Sequence, residues 1–332
     1  MFKKVKIEKA VGMVLGADVT KIIPNEYKGA LFKKGHLIEE KDIEELRKVG
    51  KEYIWVYNEN PSYVHQDYVS IEIAKSLISE NLYVSGPSEG WAYINAKKRG
   101  ILVVNEKAVK KLNLFKMVVL TTVKNYSLVS KDTNVSKFKV TRLEISNQLY
   151  KKIFDNASKL KMLDGFIFDV VKPLYDKASV IVTGNEVYEG LVPDAASPKL
   201  KNKLPKFGVE VIFNKLVPDS ENEIEGAIED SIKNGANIII LTGGMGPDPD
   251  DATRNGIKKA HGKIIRYGVP VNPATMSLIA WIKDIPVLGI SAGFINYENS
   301  FLDFVLPGLL AGERITKSKI ASWGVGGMLE QK

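Results

Sequence analysis

Three stretches of the chain bring small, hydroxylic and acidic residues together at spacings that suit phosphate chemistry. They are Thr183-Gly184-Asn185-Glu186, then Thr242-Gly243-Gly244-Met245-Gly246-Pro247-Asp248-Pro249-Asp250-Asp251-Ala252-Thr253, and Ser291-Ala292-Gly293. In the second, glycines at 243, 244 and 246 let backbone N–H groups approach an anion with no Cβ in the way. Asp250 and Asp251 offer hard oxygen ligands for Mg2+, with Glu186 as a third carboxylate. Thr253 opens the helix that follows and gives an N-cap environment. Thr183 and Ser291 add hydroxyls from neighbouring loops. The expected arrangement is a phosphate on residues 243–246 and a metal held by Asp250 and Asp251, which with Glu186 are the candidate catalytic groups. Glycine pairs and Asp-Asp-x-Thr caps also occur at ordinary strand-to-helix junctions, and that structural alternative stands beside the functional one.

Other chemistries find less support. The chain has no cysteine, which removes thiolate nucleophiles, thiolate metal sites and disulfides and suits a reducing cytoplasm. His36, His65 and His261 lie far apart with no carboxylate or histidine at ligand spacing, so no zinc site is expected. Neither G-x-S-x-G nor a Walker sequence occurs. What remains for catalysis is metal-assisted work on a phosphate ester or anhydride. The formal net charge is +8, yet of 47 basic residues only Arg47, Arg99, Arg142, Arg254, Arg266 and Arg314 are arginine. No basic block is interleaved with aromatics, so no nucleic-acid partner is expected. The surplus lysines read as a solvated surface that helps attract a small anion. No apolar run reaches membrane-span length and the N-terminus lacks a signal-peptide pattern. The expectation is a cytoplasmic protein with no membrane contact.

At 332 residues the chain exceeds one ordinary core. Residues 1–58 read as an α+β unit, with a helix over 40–49 and a strand over 53–57. Residues 59–146 read as a β-rich unit with a helix over 70–81 and strands over 101–105 and 117–123. Residues 147–316 alternate apolar strands (179–183, 209–216, 237–242, 263–267, 286–290) with helices (149–162, 221–234, 253–261, 274–283, 301–310). That alternation predicts a three-layer α/β domain whose mostly parallel sheet is covered on both faces. Ligands of such sheets bind at the carboxyl ends of strands, where the three loops fall. Residues 317–332 read as a C-terminal tail. Tyr53, Trp55 and Tyr57 share one strand face and read as core or interface packing.

The string TGNE, followed about sixty residues later by TGGMGPDPDDAT, resembles the molybdopterin-binding fold. That fold is shared by molybdopterin adenylyltransferases, molybdopterin molybdenumtransferases and the N-terminal domain of competence/damage-inducible proteins. Val217-Pro218-Asp219 matches their intermediate V-x-D element and adds Asp219 to the candidates. The likeness runs from residue 179 to about 313. The β-rich units ahead of it, the opening VGMVLGADVTKIIP and the ending Leu302-Asp303-Phe304-Val305-Leu306-Pro307-Gly308 resemble a bacterial molybdenumtransferase-like subgroup. The resemblance implies a ligand, molybdopterin or adenylylated molybdopterin, with Mg2+ beside it. Its contacts would be Thr183, Gly184, Asn185, Asp219, Thr242, Gly243, Gly244, Gly246, Thr253, Ser291, Ala292 and Gly293.

The departures shape the functional expectation. The aspartate of the family's TGDE is Asn185 here. The PGKP and LPGNP loops correspond to Pro270-Val271-Asn272-Pro273 and Ile290-Ser291-Ala292-Gly293, which lack the lysine and the Gly-Asn-Pro turn. PDPDDAT is nearer the GPTPDDxT of nucleotide pyrophosphatases. Three functions follow: a molybdenumtransferase-like enzyme that cleaves adenylylated molybdopterin, a non-catalytic pterin carrier for a molybdenum hydroxylase, and a nucleotide pyrophosphatase acting on a substrate such as ADP-ribose. A homodimer is expected, because the β-rich units offer edges that need covering.

Overall fold

A computed structural model of the chain describes every residue except 1, 25, 59, 247–250 and 331–332. It divides into two compact units. The first comprises Met1–Lys98, Val103–Asn125 and Val129–Val170; the second comprises Arg99–Leu102, Tyr126–Leu128 and Val171–Lys332.

In the first unit, strand Lys3–Lys6 pairs antiparallel with Tyr53–Val56, and Val19–Ile23 pairs with Tyr27–Phe32. Val5, Ile7, Leu15, Ile38, Leu46 and Ile54 close a small core there. Further along, Leu82–Ser88, Trp91–Ala96, Asn134–Val140 and Val118–Thr122 form a four-stranded antiparallel sheet. Helix Gln66–Leu77 packs on that sheet, burying Val69, Ile73 and Leu77. Helix Asn147–Asp164, capped by the Ser146 hydroxyl, packs on Gln66–Leu77 and so belongs to this unit, which places the division at residue 171 instead of 147. Tyr53, Trp55 and Tyr57 are 40%, 43% and 53% exposed, so they do not pack into a core. Two histidines do find carboxylates that sequence spacing concealed: His36 meets Asp42 and His65 meets Asp67.

The second unit is built on a six-stranded sheet. Its strands are β1 (Lys177–Thr183), β2 (Glu210–Val217), β3 (Ile238–Thr242), β4 (Lys263–Tyr267), β5 (Leu278–Ile282) and β6 (Ile285–Ile290), in the spatial order β2-β1-β3-β6-β5-β4. The first four in that order run parallel, and β5 and β4 complete the sheet antiparallel. Alternation along β3 explains the layers. Ile238 and Ile240 enter one core with Leu200, Phe301 and Leu306, while Ile239 and Leu241 enter the other with Ile224, Ile228 and Ile257. Helices therefore cover both faces, and each fully buried aliphatic side chain contributes roughly 1.5–3 kcal/mol. The α/β class and the mostly parallel sheet stand as expected from the sequence.

Three local expectations do not. The segment 274–283 is not a helix: its apolar residues at 274, 278 and 282 mimic helical spacing, but Leu278-Ile279-Ala280-Trp281-Ile282 is a buried strand. Lys283 takes a positive φ of 52°, and the chain turns back so that Ile282 faces Ile285. Residues 317–330 are not a tail apart from the fold. Helix Lys317–Ser322 is capped by the Thr316 hydroxyl, Ile320 and Trp323 are buried in the larger core, and Met328 bridges to Asn272. Helix Ala196–Lys203 falls where the sequence suggested only a loop. No helix among the described residues is long and apolar enough to cross a membrane.

Candidate functional site

The parallel strands β1, β2 and β3 deliver their carboxyl ends to one edge of the sheet, and the candidate residues gather there. Thr183 ends β1 and Thr242 ends β3, both buried. Val217 pairs with Thr183, so Asp219 leaves the sheet one strand over. The Asn185 and Asp219 segments clamp each other. The Asn185 amide N–H donates to Asp219 Oδ2 at 3.3 Å, and the Asp219 N–H donates to Asn185 Oδ1 at 3.0 Å. Asn185 thus joins two loops through its own carbonyl oxygen without adding a charge.

Gly243 and Gly244 sit where no side chain fits. A Cβ on Gly243 would lie 1.9 Å from the Thr183 carbonyl oxygen, and its φ is +96°. A Cβ on Gly244 would lie 2.6 Å from Thr253 Oγ1 and 3.2 Å from both Asp219 Oδ1 and Thr183 Oγ1. These glycines are therefore required first by the protein's own packing, and substituting them does not isolate an anion contact. Thr253 opens helix Thr253–Lys259, but the N-cap is Ala252 with no side-chain cap. Its hydroxyl is buried and donates to the Gly243 carbonyl at 3.0 Å.

A proton count follows from those contacts. Thr253 spends its hydroxyl proton on Gly243, and Thr183 Oγ1, 3.1 Å from Thr253 Oγ1, has one proton for Thr253 Oγ1 and the Asp219 carboxylate together. Among the described residues Asp219 Oδ1 is buried and has no hydrogen bond of normal geometry. Burial raises the Asp219 pKa above the ordinary aspartate value. The Asn185 N–H and the Thr183 hydroxyl draw it down again, and the negative charges of Glu186 and Asp251 push it up. Glu186 is exposed, with its carboxylate beside Gly184, which has a φ of +144°. Asp251 is half-buried. Asp250, expected as both metal ligand and catalytic group, lies outside the described residues. Among those described, no group of three or more His, Asp or Glu is placed to hold a metal ion.

Two residues that sequence reasoning did not single out brace the glycine loop. The Tyr267 hydroxyl donates to the carbonyls of Met245 (2.7 Å) and Gly246 (3.2 Å). The Arg254 guanidinium lies over the Tyr267 ring at 4.4 Å and reaches the Gly246 carbonyl at 3.5 Å. A trans peptide sets each N–H opposite the preceding carbonyl. With the Gly243 carbonyl on Thr253 and the Met245 carbonyl on Tyr267, the N–H groups of Gly244 and Gly246 face away from those anchors. The only available signal was an arginine three residues past the acidic pair, and it carries no meaning without the distant Tyr267.

The third loop stands one strand further along. Thr242 pairs with Ile290, and Ser291 leaves β6 from there. Ser291 and Gly293 line a cavity of about 310 Å3 together with Asn272, Thr275, Tyr297 and Leu329, whereas Ala292 is exposed. Its lining combines hydroxyl and amide donors with a phenol ring and an isobutyl group.

Residues 179–311 match the family described as "Probable molybdopterin binding domain", and residues 4–58 match a domain of unknown function, DUF8806. The molybdopterin-binding match lies wholly within the second unit. Relatives include a CinA-like protein of Thermosipho melanesiensis, 37% identical over 87 residues, or 26% of this chain and 21% of that protein. A CinA-like protein of Mycobacterium avium is 35% identical over 81 residues, 24% of this chain and 19% of that one. The chain thus spans about a fifth of the length of these curated relatives. They bear the CinA-like name, whereas the resemblance drawn from the sequence pointed to a molybdenumtransferase-like subgroup. Similar solved structures include the protein CinA of Thermoplasma acidophilum, at TM-score 0.33 and 19% identity over 42% of this chain and 95% of that one. Another is a molybdopterin biosynthesis protein, MoeA, of Pyrococcus horikosii, at TM-score 0.32 and 15% identity over 95% of this chain and 76% of that one.

Proposed function

We propose that the second unit binds molybdopterin or adenylylated molybdopterin at the carboxyl edge of its sheet, in molybdenum-cofactor biosynthesis or insertion. The observation that carries this reading is Asp219 Oδ1, a buried oxygen beside Gly244, Thr183 and Thr253 that has no hydrogen bond of normal geometry among the described residues. Leaving such an oxygen unserved costs about 1–3 kcal/mol, so a ligand or cation that reaches it recovers free energy. The family match over 179–311 supports a pterin ligand. The N–H groups of Gly244 and Gly246 would meet the phosphate, and Arg254, held flat on Tyr267, would supply the positive charge that the missing lysine of the 270–273 loop does not. The chamber at Ser291 would take the heterocycle, with Tyr297 as its stacking face.

Mg2+ needs only one or two protein carboxylates when phosphate oxygens and waters complete its shell. Asp219, with Glu186 and Asp251 near it, fits that modest demand, and Asp250 is a further candidate. The ion would supply neutralisation of the phosphate charge. Asp219 would bind it with the free oxygen while Asn185 keeps the other oxygen in place.

The test is a titration with molybdopterin and with adenylylated molybdopterin, with and without Mg2+, followed for AMP release in the presence of molybdate. Saturable binding is expected, strengthened by Mg2+; absence of binding to either form rules the reading out. AMP release selects the molybdenumtransferase-like enzyme, and binding without release selects the carrier, for which a molybdenum hydroxylase is the proposed recipient. A second reading, hydrolysis of a nucleotide anhydride such as ADP-ribose, draws on the Asp250-Asp251-Ala252-Thr253 run, and release of AMP from ADP-ribose would select it.

A further inference from the structure

A second cavity of the same unit, about 410 Å3, is lined by Lys199, Asn202, Lys203, Lys206, Asn296, Tyr297 and Glu298. Lys199 and Lys203 stand four residues apart on helix Ala196–Lys203, so both project from one face, an arrangement that like charges disfavour. The fold turns them inward all the same. The Lys199 ammonium donates to the carbonyls of Ile295 and Tyr297, both at 2.7 Å. The Lys203 ammonium reaches the Glu298 carbonyl and pairs with Asp303 at 2.7 Å; the residue is 8% exposed. Holding the turn accounts for these two. It does not account for Lys206, whose exposed ammonium lines the same cavity and, among the described residues, has neither an acceptor nor an ion-pair partner.

Three ammonium groups face two carboxylates, Glu298 and Asp303, and two asparagine amides add neutral donors. Burial and the charge of Lys203 lower the pKa of Lys199, while Asp303 and Glu298 act the other way. A bound anion would relieve that crowding, and few other ligands would. We infer that this cavity is an anion-binding site for a phosphate group, separate from the glycine loop. Tyr297 lines both this cavity and the Ser291 chamber. The phosphate therefore has two possible sources, a free inorganic ion or the distal phosphate of a ligand whose ring lies beside Tyr297. The inference does not depend on the pterin reading.

The ammonium signals of Lys199 and Lys203 in protein carrying 15N-lysine give a readout specific to this cavity. Inorganic phosphate and ADP are the probes, with Lys206→Gln as the variant and Lys201→Gln, exposed on the same helix and outside the cavity, as the control. We expect saturable shifts of both signals, a dissociation constant at least about fivefold weaker in Lys206→Gln, and no change in Lys201→Gln. If phosphate alone saturates the shifts as readily as ADP, the source is a free ion. If ADP does so at much lower concentration and also moves the Tyr297 ring signals, the source is a ligand shared with the chamber. No saturable shift with either probe, or equal affinity in Lys206→Gln and wild type, overturns the site. Asp219→Asn should leave these shifts intact, so failure of the glycine-loop reading remains distinguishable.

Discussion

Two aspartates, one in each unit, show how the same residue serves opposite ends. Asp42, 3% exposed, accepts the Glu39 N–H at 2.9 Å and His36 Nε2 at 2.7 Å, both on Oδ2. Burial works against its charge, but the Glu39 N–H and His36 outweigh it and bring the pKa below the ordinary value. Asp219 also receives one backbone N–H, from Asn185, and has the Thr183 hydroxyl near it, yet its other oxygen has no hydrogen bond of normal geometry among the described residues and its charged neighbours are Glu186 and Asp251. Its pKa moves up. A satisfied carboxylate stabilises the fold that holds it, while an unsatisfied one is a cost that only a ligand repays. The difference teaches where to look for function: not where polar groups are dense, but where one of them lacks a partner.

Glycines sharpen the comparison and carry the largest expected effect. Gly35 in the first unit and Gly243 in the second both have positive φ, +87° and +96°. Nothing lies within 4 Å of a Cβ built on Gly35, whereas one on Gly243 meets the Thr183 carbonyl. Gly243→Ala is expected to lose about 3 kcal/mol or more, through strain added to a backbone collision. Gly35→Ala should lose only about 1 kcal/mol, the cost of the left-handed backbone. Urea denaturation of both variants checks this; equal losses would mean that the site edge is no tighter than an ordinary turn.

Asp42→Ala comes next. Losing a charged acceptor of two hydrogen bonds should cost about 2 kcal/mol at neutral pH. The folded pKa of Asp42 is depressed, so its contribution is fully present above the unfolded value of about 4 and is lost as pH falls through the folded value. Denaturation curves should therefore converge for variant and wild type in acid. A gap that persists unchanged in acid would show that Asp42 acts by packing and not by charge.

Tyr267→Phe removes one hydroxyl shared by two loop carbonyls. The expected loss is about 1 kcal/mol, with pterin-phosphate affinity falling as the glycine loop loosens. Thermal unfolding and ligand titration on the same variant test both parts, and unchanged affinity would detach Tyr267 from the site. A homodimer, proposed from the open edges of the first unit, is checked by light scattering; a mass of 36.8 kDa at micromolar concentration would exclude it.

The sequence carried the second unit well because a strand buried on both faces leaves a simple signature. Ile238-Ile239-Ile240-Leu241 can be little else, and the loop after it announces its glycines. It failed at 274–283, where an apolar hairpin arm of five residues has the spacing of a helix turn and only the Lys283-Asp284 reversal separates the two. It failed at Ala196–Lys203, whose mean hydropathy is low and whose buried face reduces to Ala196, Ser197, Leu200 and Lys203. Thr183, Asp219, Gly243, Gly244 and Thr253 were legible as a set, although the reason for the glycines was not. A sequence shows that Cβ is absent but not what would occupy its place. Arg254 and Tyr267 were illegible for a similar reason, since their stacking joins a helix to a strand across intervening loop residues.

The central claim is that Asp219 is held at a cost to the empty protein for the sake of a ligand. Its folded pKa is raised, so the folded state binds the proton more tightly than the unfolded one. Its contribution to stability is therefore most favourable below the unfolded value of about 4 and declines as pH rises through the folded value. The decisive measurement is thermal unfolding of Asp219→Asn beside wild type from pH 4 to pH 8, paired with titration of molybdopterin in Mg2+. The account predicts a variant that melts higher than wild type at neutral pH, a gain that shrinks towards pH 4, and ligand affinity at least about tenfold weaker, roughly 1.4 kcal/mol. A variant that melts lower at neutral pH and binds the ligand as well as wild type does would contradict it.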